Sequence, residues 1–232
     1  MIVALLLLMQ IDSLSSLRNA KLTESVDTFD TFTSEVDGRP QPGRRVYVVR
    51  TLGADHAGRW ELVDAWYDST GHMTARQATR TAPRALRTEL VTVRADDDSA
   101  SMLVSPDHVT AWVVPSGGAA RFYDGDADGE RYDLTLVIAA IAKRHPAVGS
   151  TFRFPAYTLY GTSPIATQID SIRVVRRDTL TSGSRRIAVV VLQRPSGGLV
   201  WVDETTGSEV ASRGNAGPGR WWWHIKRGVA AP

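Results

Sequence analysis

The chain has 232 residues, 43% of them hydrophobic and 22% charged, which is enough for a real core in one large β domain or two small ones. It has no cysteine, which excludes disulfides, thiolate metal sites and a cysteine nucleophile. The net charge is +2 and the basic residues are interleaved with Asp and Glu, so the concentrated patch of a nucleic-acid binder is missing and no nucleic-acid partner is expected.

Residues 2–9 (IVALLLLM) form an apolar run of signal-peptide length, too short to cross a bilayer. No basic segment precedes it and no clean cleavage site follows. Residues 1–20 therefore read as a truncated signal peptide or as a short N-terminal helix lying on the sheet. The first reading predicts an exported protein of the periplasm or cell envelope. A single antiparallel β domain is expected over 21–232.

From residue 21 the sequence turns strand-like, with Thr23, Val26, Thr28, Phe29, Thr31, Phe32 and Val36. A Gly- and Pro-rich turn at 37–43 follows. Further strands are expected at 45–52, 60–68, 73–81, 86–94, 101–104 and 109–114, separated by turn clusters. One segment breaks the rhythm. Leu134, Val137, Ile138 and Ile141 have the i, i+3, i+4, i+7 spacing of an amphipathic helix. Asp133 suits its N-cap, Lys143, Arg144 and His145 suit its last turn, and Pro146 stops it. Strands resume at 151–159, 168–177, 187–194, 199–203, 209–212 and 220–227. The expected fold is mainly β: a large curved antiparallel sheet, half-barrel or open barrel, around one central helix.

A hairpin cassette occurs twice. Trp66-Tyr67-Asp68 runs into Gly71, and Trp201-Val202-Asp203 runs into Gly207. In each, an aromatic strand meets an Asp that can bond its own turn, and Gly supplies a positive φ.

Candidate chemistry is sparse. Asp124-Gly125-Asp126-Ala127-Asp128-Gly129 has the opening carboxylates of a calcium loop, but position 12 is Thr135 where a bidentate Glu is needed, so an acidic connection without tight calcium binding is expected. The five His residues are scattered, and no metal site is expected. There is no nucleophile elbow and no phosphate-cradling loop, so neither enzyme activity nor a cofactor is expected. In Trp221-Trp222-Trp223-His224, alternation puts Trp221 and Trp223 on one face and Trp222 and His224 on the other. Either the first pair packs inward, or the strand is an aromatic edge. In the second case Trp222 and Arg227 would contact a membrane surface.

These features together resemble bacterial envelope proteins of unknown function whose fold is similar to the lipoprotein-carrier (Lol-type) half-barrel. The resemblance rests on the early strand at 24–32, the two cassettes, the central Asp-Leu helix at 133–141, the strand opening at 149–154, and the strand and turn at 174–183. It implies a curved sheet that wraps helical structure and shelters acyl chains. On that basis the chain is expected to be a noncatalytic envelope protein. It would hold a lipid or acyl chain on the concave face, against Leu134, Val137, Ile138 and Ile141 of the helix and Trp66 and Trp201 of the cassettes. The alternative is a structural or interaction module with a filled core.

Overall fold

The computed structural model describes residues 11–12, 22–34, 46–96, 98–127, 129–157 and 168–232. A two-residue strand, β1 (Ile11–Asp12), lies within the segment read as a truncated signal peptide or N-terminal helix. Two antiparallel meanders follow. The first comprises β2 (Ser25–Ser34), β3 (Val46–Ala54), β4 (Trp60–Tyr67), β5 (Met73–Thr81), β6 (Thr88–Ala95), β7 (Ser99–Val104), β8 (His108–Val114) and β9 (Arg121–Asp126). After the helix α1 (Leu134–Ala142) come β10 (Thr151–Ala156), β11 (Gln168–Ser182), β12 (Arg185–Gln193), β13 (Leu199–Asp203), β14 (Glu209–Gly217) and β15 (Arg220–Lys226).

The last strand, β15, pairs with β2, and this joins the two meanders into one sheet of fifteen described strands. Every pairing is antiparallel except that of β1 with β10. The segment before the helix ties the meanders together a second time: Tyr132 bridges Arg87, next to β6, and Ala156 of β10. A sheet of this many strands must curl. The face against α1 is called inner here and the other face outer.

The helix forms where its spacing predicts. Asp133 Oδ1 accepts from the backbone N–H groups of Thr135 (2.8 Å) and Leu136 (3.3 Å), which satisfies two of the orphan donors of the first turn. The other carboxylate oxygen accepts from Tyr157 Oη (2.7 Å) and Thr79 Oγ1 (3.1 Å), so the cap is anchored to β5. Burial, joined by the Asp133 charge, pushes the Tyr157 phenol well above its ordinary value and keeps it a donor. Every residue from Leu136 to Ala142 is buried. They pack on the inner-face residues Leu62, Phe152, Phe154, Ile172, Val174, Val190, Leu192, Val200 and Val202.

Several expectations need correction. The helix has nine residues and ends before Lys143, Arg144 and His145, so its last turn is not basic. Lys143 is the C-cap, and His145 adopts left-handed backbone at φ 49, which turns the chain out of the helix ahead of Pro146. The stretch expected as an acidic connection is partly strand: Asp124 and Asp126 lie in β9. There Asp124 sits 2.7 Å from His108 Nε2 and accepts from Thr110 Oγ1 at 3.2 Å, both across the β8–β9 ladder. Asp128 lies outside the described residues, as do residues 1–10. β11 and β14 run five residues past their expected ends, to Ser182 and Gly217. Their distal halves are polar and carry bulges at Val175 and Ala216, so no apolar alternation marks them in the sequence.

Candidate functional site

The inner face has two parts. Under the helix it is nearly closed: the gap among Leu52, Leu62, Leu136, Ile138 and Ala139, bordered by Asp27, Arg50 and Glu209 on its polar side, amounts to about 20 Å³, room for about one water. Beyond the N-terminus of the helix, over the β15–β2–β3–β4 junction, the face is polar and open.

Strand register builds this second part. Arg50 on β3 stands opposite Asp64 on β4 and Asp27 on β2. Directly opposed residues share a face, so Arg50 and Asp64 both project inward. Arg50 Nε donates to Asp64 Oδ1 at 2.7 Å and Nη2 to Oδ2 at 2.8 Å, a two-pronged pair. Nη1 donates to Glu209 Oε2 at 2.7 Å. Glu209 Oε1 in turn lies 3.1 Å from Nδ1 of His224, and the His224 ring stacks on Phe29 with centroids 4.3 Å apart. The Arg50 guanidinium lies 5.4 Å from the centre of that same Phe29 ring. The four polar side chains are only 8–12% exposed.

Electrostatics makes the cluster a unit. Burial alone would raise the Glu209 carboxyl, but the Arg50 charge and the hydrogen bond with His224 outweigh it and hold the group far below the usual carboxylate range. Burial would likewise lower Arg50, and the Asp64 and Glu209 charges reverse that and raise it. Each charge is tolerable only because its partners are present.

A cleft of about 260 Å³ lies over this cluster, walled by Trp66, Trp222, Thr31, Thr135, Arg194 and Ser212. The Trp222 indole lies across Gly214 of β14: a Cβ at that glycine would come within 2.3 Å of the indole nitrogen. Gly214 is therefore the seat that lets the ring lie flat at the cleft. Three buried polar atoms of the lining have no hydrogen-bond partner among the described residues: Thr31 Oγ1, Arg194 Nε and His224 Nε2.

The residues expected to form the site are divided among three places. Val137, Ile138 and Ile141 are buried in the core, and Leu134 packs at its margin. Trp66 lines the polar cleft. Trp201 lies on the outer face, in a second apolar cluster with Val189, Val191, Leu199, Trp223 and Ile225, because its neighbours Val200 and Val202 take the inward positions. Trp201 and Trp223 stack with centroids 6.1 Å apart, and the Arg213 guanidinium lies within about 6 Å of both rings and of Trp221. Trp222 and Arg227 also separate. Trp222 faces the inner cleft, whereas Arg227 lies over Tyr47 and bonds Asp30, which stands opposite the outward Ile225.

Sequence reasoning missed Arg50, Asp64, Glu209 and His224. The signal was present in the first two. In Val48-x-Arg50-x-Leu52 and Leu62-x-Asp64-x-Trp66 a charge occupies the apolar phase of a strand, a position that demands a partner. Among the described residues, no group of three or more His, Asp or Glu is arranged to hold a metal ion.

Neither a protein-family model nor a curated protein matches this chain. Among solved structures it is similar to a crystal structure of a beta-barrel-like protein of the domain of unknown function DUF1849 from Brucella abortus, with a TM-score of 0.59 and 6% identity. The match covers 92% of this chain and 99% of the other. At that identity the likeness concerns the fold: it supports a barrel-like β architecture and not the lipoprotein-carrier type in particular.

Proposed function

We propose that this protein is a noncatalytic binding module of the cell envelope that holds a small amphiphilic ligand in the cleft between Trp66 and Trp222. The observation that carries the reading is the contrast within the inner face. The helix-covered part is packed shut, so the helix surface is not where an acyl chain would lie. The adjoining cleft has two aromatic walls and a charged floor, the mixture of apolar lining and few convergent polar groups that ligand sites use. An acyl or similarly apolar body would lie along the indoles, with its polar end at the ion-pair cluster. Envelope localisation rests on the apolar run at 2–9, and the carrier-like role on the curved sheet. The filled helix–sheet interior favours a second reading, a structural module with no ligand.

The test is binding of a fluorescent fatty acid to the purified chain. Binding should weaken about ten-fold or more in Trp66→Ala and Trp222→Ala, since each indole supplies a large share of the apolar contact. It should be unchanged in Ile138→Val, which alters only the packed helix. No binding at all, or binding sensitive to Ile138 and not to the two tryptophans, would favour the structural module.

A further inference from the structure

We infer that the cleft reads an anionic head group, a carboxylate or phosphate, through Arg194, His224 and Thr31. This rests on the proposed cleft and specifies its ligand.

The hydrogen-bond groups left over in the lining carry the inference. Each guanidinium nitrogen of Arg50 already donates to Asp64 or Glu209. Beside it, Lys226 Nζ pairs with Asp27 at 2.5 Å and cancels that carboxylate. Both acidic side chains of the lining are therefore engaged by Arg50. Arg194 is the remaining cation of the lining, makes no ion pair among the described residues, and has its Nε buried without an acceptor. A guanidinium N–H left unmatched in a buried setting is costly unless a ligand supplies the oxygen.

The other two orphan atoms fit the same ligand. Thr31 stands opposite His224 in the β15–β2 register, so the hydroxyl and the ring share one stretch of wall. His224 Nδ1 faces Glu209, so Nδ1 carries the hydrogen and Nε2 is turned to the ligand. A carboxylate or phosphate can accept from Arg194 Nε and Thr31 Oγ1, and a phosphate that keeps one O–H can donate it to Nε2. An ammonium group would face Arg194 and leave its N–H unmatched.

The experiment is calorimetric titration of the full chain with octanoate, octyl phosphate and octanamide, three probes that differ only in the head. The two anions should bind about ten-fold or more tightly than the amide, the difference expected for a charge-assisted hydrogen bond. Arg194→Gln should bring both anions to the level of the amide, and Arg194→Lys should restore part of the difference. The ratio of octanoate to octyl phosphate separates a carboxylate site from a phosphate site. If the amide binds as well as the anions, and Arg194→Gln changes nothing while Trp222→Ala still weakens all three, the anion reading is overturned and the cleft survives. If none of the three binds, both are overturned. Denaturation midpoints of the Arg194 variants should match the parent.

Discussion

The two hairpin cassettes share a pattern and differ in what the fold does with it. Both have an Asp whose side chain accepts from its own turn: Asp68 from Thr70 and His72, Asp203 from Thr205 and Thr206. Both turn on a left-handed glycine, Gly71 at φ 88 and Gly207 at φ 75. Both carry a one-residue bulge on the return strand just beyond the Trp, at Thr74 and at Val210. Yet Trp66 faces inward to the polar cleft and Trp201 faces outward into an apolar cluster. Side chains alternate along a strand, so one step of phase moves a residue to the opposite face. The cassette encodes a hairpin; the phase in which it joins the sheet decides whether its tryptophan lines a site or fills a core.

The largest expected difference is between the tryptophans themselves. Trp201 is 2% exposed. Trp201→Ala should cost about 3–5 kcal/mol in chemical denaturation, the range for a large buried aromatic. Trp66 is half-buried, and Trp66→Ala should cost about 1 kcal/mol while reducing probe binding. Equal stability losses in the two variants would break the assignment of one tryptophan to a core and the other to a cleft.

The glycines give the next largest contrast. At Gly71 the nearest atom to a new Cβ is Tyr47 Oη at 3.9 Å. At Gly207 a Cβ would lie 2.9 Å from the carbonyl oxygen of Ala139 and 2.9 Å from Lys143 Cγ, because that turn abuts α1. Gly71→Val should therefore cost about 1 kcal/mol, from backbone strain alone. Gly207→Val should cost about 3 kcal/mol or more, since helix or turn must shift as well. If urea midpoints of the two variants coincide, the Gly207 turn does not bear on the helix.

This contrast also marks what was legible in the sequence. Period-two alternation and turn residues are local signals, and they yielded the antiparallel meander, the cassettes and the Asp133-capped helix. The joining of β15 to β2 was not legible, because it pairs Trp221–Lys226 with Phe29–Ser34 across most of the chain. The cluster depends on that joining. Arg50 and Glu209 are 159 positions apart, and no local pattern links them. The placement of Trp201 was missed for a related reason. Val189–Leu192 and Leu199–Val202 are apolar on both faces, so composition does not say which face meets the helix.

The last contrast is read in a pH profile rather than in a midpoint, and concerns a residue for which the first cassette has no counterpart. Two positions after Gly207 the second cassette delivers Glu209 to Arg50 and His224. Its carboxyl is depressed in the folded state, against the desolvation that would raise it, chiefly by the Arg50 charge. The unfolded chain therefore takes up the proton first as pH falls. The stabilisation is fully present above the ordinary Glu range, near pH ~4.3, and declines below it by at most about 1.4 kcal/mol per pH unit. Exposed carboxylates that are also lowered, such as Asp55, Asp68, Asp107 and Asp124, decline in the same direction. The parent alone cannot isolate Glu209, so Glu209→Gln is the control. This variant should be less stable than the parent at neutral pH, because Arg50 keeps only Asp64. Its stability should fall less steeply between pH ~4.5 and ~3, and the two curves should converge. Parallel curves would mean that Glu209 does not bind Arg50 in solution, and the floor of the cleft would then be a surface carboxylate rather than a buried cluster.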